Sequence, residues 1–245
     1  MKNKIIVFID NSDLGKAALA HGKMLAQVFD TELQQITIQK KTDFNAVLNS
    51  DDVHCFVMPI VSKREHPFFN IHNAKKWIKK SRVPVITIGD FEPKTNDYQK
   101  IILPLDINCQ EKELAQWASF FSVQIQKNCP NISKEKVLIY VIYNEYKTQF
   151  LQKKVQNNIE FVKKMFARLE VDYEIHPFKK VDNIHTFGIQ YAKKVENSIL
   201  FYLIPEHNSL IDLIFGSVLN KIMKNKKSLP VLLLNAREDL FVLCQ

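Results

Sequence analysis

Two stretches of the sequence share one pattern: KIIVFID at residues 4–10 and KIILPLD at residues 100–106. Each begins with a lysine, continues as an apolar run rich in branched side chains, and ends in an aspartate. Apolar runs of this length, closed by a polar residue, are typical of strands buried on both faces of a parallel sheet. The pattern predicts that the chain contains two copies of one unit that begins with a strand.

A helical pattern follows each of these strands. After the first strand, Ser12 is placed to cap a helix, since a serine hydroxyl accepts a bond from the first backbone N–H groups. The apolar face expected for this helix consists of Ala17, Ala20, Met24 and Val28. The face expected after the second strand consists of Leu114, Trp117, Phe121 and Ile125. A strand followed by an amphipathic helix predicts a parallel sheet with helical crossovers.

The ends of the two copies match as well. VHCFVMP at residues 53–59 parallels ILFYLIP at residues 199–205, and PVITI at 84–88 parallels PVLLL at 230–234. A proline at the first position suits the start of a strand. The copies are further apart at their ends than at their starts, so the first copy lacks a block of residues in its middle.

The second copy contains that block. A strand is expected at Val137–Ile142, another at Val171–His176, and a helix near Ile184–Val195. Between the two strands, a long helix is expected with an apolar stripe of Leu151, Val155, Ile159, Val162, Phe166 and Leu169. The alternation of strands and helices predicts a doubly wound parallel sheet.

In the first copy, a strand at Leu33–Ile38 is joined to the next strand by only Gln39–Asp52. That length allows a minimal crossover with a short helix at Phe44–Leu48. We therefore expect four regions along the chain. They are a shortened domain of about four strands at residues 1–90, a linker at 91–97, a complete five-stranded domain at 98–236 and a C-terminal tail at 237–245.

Composition narrows the classes of function. The net charge is +8, and a division after Asp97 gives +3 and +5, so neither half has the concentrated charge of a dedicated nucleic-acid binder. No apolar run approaches the roughly 20 residues that span a bilayer, so we expect no membrane insertion and place the protein in the cytoplasm. Cysteines and histidines show no metal-ligand spacing, and no metal site is expected.

Three features of the second copy fall in the order and spacing of a known family. They are Asp106 at the end of its first strand, Phe215-Gly216-Ser217-Val218, and Pro230-Val231 at its last strand. On these residues the chain resembles the universal stress proteins. The resemblance implies two tandem Rossmann-like α/β domains, each with a mostly parallel sheet flanked by helices. It also implies that the two last strands pair within the chain as a pseudo-dimer, and it leaves a homodimer open.

The resemblance also implies where a nucleotide would bind. Many members bind ATP with the aspartate of the first strand and a Gly-x2-Gly-x9-Gly-Ser/Thr motif, which corresponds here to Asp106, Gly216 and Ser217, with Asp10 in the first copy. The two earlier glycines of the motif are replaced by Leu203 and Glu206. Side chains there keep phosphates from the backbone. A carboxylate at 4 Å from a phosphate costs on the order of 4 kcal/mol at an effective dielectric of about 20. In the first copy the three glycine positions hold Val57, Ile60 and Asn70.

These replacements favour a regulatory or adaptor protein of the universal stress type that acts through contacts with a protein partner, with a degenerate nucleotide pocket and no cofactor. The alternative is a stress switch that binds ATP or AMP, or a very slow ATP hydrolase, that uses the second domain. We expect no enzyme, because the sequence has no Gly-x-Ser-x-Gly elbow, Walker A loop or dinucleotide glycine motif.

The same residues have simpler interpretations that remain open. Asp10 and Asp106 can cap the loop or helix that follows each strand, and Gly216-Ser217 can serve close helix packing. A third open case is a set of basic residues near the ends of the last helices: Lys75, Lys76, Lys79, Lys80 and Arg82, with Lys221, Lys224, Lys226 and Lys227. They either favour solubility and the helix dipole or contact an anionic partner.

Overall fold

The structure is a computed structural model. It describes residues 4–10, 12–38, 44, 47, 48, 50, 52–61, 68–89, 98–108, 110–129, 136–205, 218–224 and 229–236. The strands are β1 (Lys4–Ile9), β2 (Glu32–Thr37), β3 (Val53–Pro59), β4 (Val85–Ile88), β5 (Lys100–Leu105), β6 (Leu138–Glu145), β7 (Tyr173–Lys179), β8 (Ser198–Ile204) and β9 (Val231–Asn235). The helices are α1 (Asp13–Phe29), α2 (Ile71–Ile78), α3 (Glu111–Asn128), α4 (Gln149–Arg168), α5 (Ile184–Ala192) and α6 (Val218–Met223).

Several expectations fall outside these residues. They concern the linker at 91–97, the tail at 237–245, and the site residues Glu206, Gly216 and Ser217. Of the short helix expected at Phe44–Leu48, the described residues Phe44 and Val47 are helical.

Contacts divide the chain into two compact units. Unit 1 comprises Met1–Lys94 and Ile204–Asn235, and unit 2 comprises Thr95–Leu203 and Ala236–Gln245. The last strand, β9, therefore belongs to unit 1, although the strand before it along the chain lies almost wholly in unit 2.

The sheet of unit 1 has the strand order β2-β1-β3-β4-β9. Its first four strands pair in parallel, and β9 joins β4 antiparallel, with Val85 opposite Leu233 and Thr87 opposite Val231. The Thr87 hydroxyl adds a bond of 3.3 Å to the Val231 carbonyl. Apolar strands without a partner are prone to aggregation. The pairing of the two last strands, expected from the sequence, is confirmed, and it removes that hazard from both.

The sheet of unit 2 has the order β8-β5-β6-β7, and all its pairs are parallel. The strand β5 is central, and its residues from Ile101 to Leu105 are all buried, which explains their continuous hydrophobic run. The long helix α4 buries Val155, Ile159, Val162 and Phe166 as expected, but the prediction for Leu169 was wrong. Leu169 is 45% exposed because the helix ends at Arg168 and Glu170 turns the chain away with a φ of 53°.

The helix α1 packs closely on β1 in unit 1. Ser12 caps it as expected, accepting a bond from the Gly15 N–H at 3.2 Å. A Cβ at Gly15 would lie 2.3 Å from the Asp10 carbonyl oxygen, so only glycine allows this approach. Ala17 and Val28 are buried as expected, whereas Ala20 and Met24 are only half-buried because the buried face is centred on Ala18, His21 and Leu25.

Strands and helices alternate in both units, so the expected α/β fold with mostly parallel sheets is confirmed. None of the helices in the described ranges combines the length and the apolar character needed to cross a membrane.

Candidate functional site

A polar cluster lies in unit 2 around the residue that follows β5. Its members are Asp106 after β5, Glu111 at the start of α3, Tyr146 after β6, Asn158 on α4 and His185 at the start of α5. In open parallel sheets, ligands bind beyond the carboxyl ends of the strands. Asp106 and Tyr146 stand at two such ends, which makes this polar cluster the candidate site in the described part of unit 2.

The Asp106 carboxylate is engaged by a residue of its own chain. The Tyr146 hydroxyl donates a hydrogen bond to Asp106 Oδ1. Burial raises the pKa of the Tyr146 phenol, and the bond to Asp106 raises it further, so the hydroxyl keeps its proton and remains a donor. A polar ligand that needs Asp106 Oδ1 as its acceptor competes with Tyr146.

Asn158 fixes the loop that carries Asp106. Its Nδ2 donates to the Asp106 carbonyl at 2.7 Å and to the Asn108 carbonyl at 3.0 Å. Only 3% of Asn158 is exposed, so these bonds satisfy an amide that has little access to water. The loop after β5 is therefore tied to α4 and holds the carboxylate in one position.

The buried carboxylate of Glu111 also binds the loop that carries Asp106. The Asp106 N–H donates to Glu111 Oε2, and Glu111 Oε1 lies 3.1 Å from His185 Nε2. Burial raises the pKa of Glu111, and the hydrogen bond from His185 opposes that rise. The side chains of Glu111 and His185 are 3% and 14% exposed, so this pair orients the loop and has little access to a substrate.

The strand-end aspartate of unit 1 has a different role. Asp10 Oδ1 accepts bonds from the Ser12 N–H at 3.1 Å and from the Ser12 hydroxyl, and Ser12 in turn caps α1. Asp10 thus stabilises the turn between β1 and α1, as the simpler interpretation of the sequence supposes. Asp106, by contrast, reaches across to the loop after β6.

Of the remaining site residues predicted from the sequence, the structure describes only Leu203. Leu203 lies in β8 and is 4% exposed, so its side chain belongs to the core. Glu206, Gly216 and Ser217 lie outside the described residues. The described ranges contain no group of three or more His, Cys, Asp or Glu side chains arranged to hold a metal ion.

Sequence reasoning missed Glu111, Tyr146, Asn158 and His185. The sequence offered a clue to two of them. Glu111 is an acid at the first position of the helix that follows Asp106, and Tyr146 directly follows a buried strand. It offered no clue to Asn158 and His185, because a polar residue within or at the start of an amphipathic helix is ordinary.

Solved structures similar to this chain share its fold. A universal stress protein from Archaeoglobus fulgidus matches with a TM-score of 0.67 at 10% identity, over 97% of this chain and 100% of that one. A protein from Pseudomonas aeruginosa described as a universal stress protein matches with a TM-score of 0.59 at 14% identity, over 98% and 96%. The cytoplasmic domain of a prokaryotic cation chloride cotransporter matches with a TM-score of 0.56 at 10% identity, over 97% of each chain.

No protein-family model and no curated protein sequence matches this chain. At such low identities the structural similarities show the fold. The chain has the fold of the universal stress proteins, as its strand-end acid and its two Pro-Val strands predict.

Proposed function

We propose that this chain is a universal-stress-type regulatory or adaptor protein that acts through contacts with a protein partner, without catalysis. One observation carries the proposal: the Asp106 carboxylate already accepts the Tyr146 hydroxyl. The polar cluster around Asp106 is linked internally, through bonds to Asn158, Glu111 and His185. A carboxylate that already accepts a hydrogen bond from its own chain gives a ligand less to gain.

The sequence gives independent support. Leu203 and Glu206 stand where the family's phosphate loop has glycines, and Glu206 adds a negative charge beside the expected phosphates. The same fold also occurs as the cytoplasmic domain of a cation chloride cotransporter. That occurrence supports a role in which the fold serves as a module within or beside a larger protein.

The proposal predicts that the protein binds ATP weakly or not measurably in a calorimetric titration. Adenosine or AMP should compete better than ATP, because the block falls on the phosphates.

Tyr146→Phe removes the hydroxyl that occupies Asp106 and should raise adenosine affinity by about tenfold, since a hydrogen bond to a charged group is worth roughly 1.5–3 kcal/mol. Glu206→Gln should raise ATP affinity without changing adenosine affinity.

Tyr143→Phe is the matched control. It removes the hydroxyl of a tyrosine in β6, and no hydrogen bond from that hydroxyl to Asp106 is found among the described residues. The Leu203→Gly exchange, alone or with Glu206→Gly, is a weaker test of the phosphate loop. Leu203 is a core residue, and its loss costs about 2–5 kcal/mol of stability. Low-micromolar ATP binding by the unmodified protein would contradict the proposal and favour the alternative, a nucleotide-dependent switch.

A further inference from the structure

The positive charge of the chain is concentrated in two segments. Residues 66–89 and 213–237 each contain five Lys or Arg residues and no Asp or Glu. In the rest of the chain acidic residues outnumber basic ones, 26 to 24. These segments therefore account for more than the whole net charge of +8.

The fold brings the described parts of the two segments together within unit 1. Each contains a helix followed by a last strand, α2 with β4 and α6 with β9, and the two strands pair antiparallel. At the end of β9, the Asn235 amide donates to the Ile78 carbonyl at 2.6 Å and to the Ser81 carbonyl at 2.9 Å, so β9 is also tied to the end of α2. Described parts of two acid-free segments that are distant in sequence thus lie next to each other in unit 1.

Lys75 feels the positive charges of Lys79 and Lys224, and we call these three residues the lysine cluster. Lys75 and Lys79 are four residues apart along α2 and its end, on the same side of the helix. Lys75 is half-buried, and its pKa is lowered by burial and by the positive charges of Lys224 and Lys79. Among the described residues, no carboxylate lies within ion-pairing distance of any of the three.

The arrangement works against the stability of the free protein. Like charges repel, and the repulsion grows when one of them is partly desolvated. Capping of the helix does not depend on these lysines alone, because Asn235 already donates to the Ile78 carbonyl at the end of α2. Solubility does not require them to adjoin each other. A bound anion would turn the repulsion into attraction.

We propose that the lysine cluster binds a soluble ligand that carries two or more linked phosphate groups. Several ammonium groups close together match several linked phosphates, and a half-buried ammonium is reached by a small ligand more readily than by a flat membrane surface. This inference is independent of the nucleoside site in unit 2, because it concerns other residues and requires no base or sugar.

Tripolyphosphate is the probe, since it contains linked phosphates and no nucleoside. Calorimetric titration of the full chain should show saturable binding that weakens as salt rises from about 0.05 M to about 0.3 M. Replacing Lys75 and Lys224 together with glutamine should weaken that binding by about tenfold or more. The same exchange at Lys153 and Lys164, two exposed lysines of unit 2, removes equal charge and should change it by less than about twofold.

Thermal unfolding without ligand separates binding from folding. The Lys75→Gln, Lys224→Gln protein should unfold at the same temperature as the unmodified protein or higher, because the exchange relieves repulsion. The proposal is overturned if tripolyphosphate gives no saturable binding, or if both double variants lose affinity equally. It is also overturned if the protein binds vesicles of phosphatidylserine and phosphatidylcholine but not tripolyphosphate. Unchanged tripolyphosphate binding by Tyr146→Phe would show that the two sites are separate, whatever the outcome for nucleotides.

Discussion

Between pH 6.5 and pH 3, the free energy of unfolding of unit 1 is expected to fall by up to about 1.4 kcal/mol per pH unit through His21 alone. His21 lies on the buried face of α1 with no exposed surface, and burial lowers its pKa to about 3. In the unfolded chain His21 takes up a proton near pH 6.5, whereas in the folded protein it stays neutral until about pH 3. The stabilising contribution is therefore complete above pH 6.5 and is lost as the pH falls, to a total on the order of 5 kcal/mol near pH 3.

Urea unfolding at several pH values measures this slope. Trp77 is a suitable reporter of unit 1, because it is buried and stacks on Phe44 with ring centroids 4.1 Å apart. A Trp117→Phe background leaves Trp77 as the sole indole. His21→Leu should lower the slope by up to about 1.4 kcal/mol per pH unit and leave only the contribution of the carboxyl groups, whereas His72→Gln, at an exposed position, should keep the full slope. Equal slopes for His21→Leu and the unmodified protein would show that His21 accepts a proton in the folded state.

Replacing Glu111 with alanine is expected to destabilise unit 2 by about 3–5 kcal/mol. Glu111 is almost fully buried, accepts from the Asp106 N–H and pairs with His185, so both groups would lose this partner. Glu111→Gln keeps the shape and one acceptor oxygen, so it should cost less. Hydrogen exchange of peptides from β5 and α3 measures the effect locally, and the loss of protection should be larger for alanine than for glutamine.

The cost of Glu111→Gln should depend on pH in a defined direction. Burial raises the pKa of Glu111, so its contribution to stability is complete below its ordinary value of 4.5 and is lost as the pH rises through the folded value. The difference between the glutamine variant and the unmodified protein should therefore shrink from about pH 4 to neutral pH. A difference that grows with pH would mean that the charged pair with His185 outweighs the cost of burying the carboxylate.

The sequence predicted the fold well because local patterns determine strands and helices. The apolar run KIILPLD became the central strand β5, and the two Pro-Val strands became the antiparallel pair of β4 and β9. Errors were local, as at Leu169, where an apolar side chain continues the helical period one residue past the end of the helix.

The site was less predictable because its bonds join distant residues. Asp106 was expected from its place at the end of a strand, but Tyr146 is 40 residues away and Asn158 is 52 residues away. No spacing rule connects such pairs. Only the order of β5 beside β6, with α4 packed against them, brings these side chains to Asp106.

The place of β9 in unit 1 has a consequence for biosynthesis. The strands β1 to β4 leave the ribosome early, but β4 gains its antiparallel neighbour only after residues 231–235 have been translated. Throughout the synthesis of unit 2, the nascent chain carries a finished apolar strand with one uncovered edge. At about 5–20 residues per second, the gap of some 140 residues lasts roughly 7–30 seconds. A chaperone that recognises extended apolar segments has that interval in which to bind, and a stalled or truncated chain would expose β4 permanently.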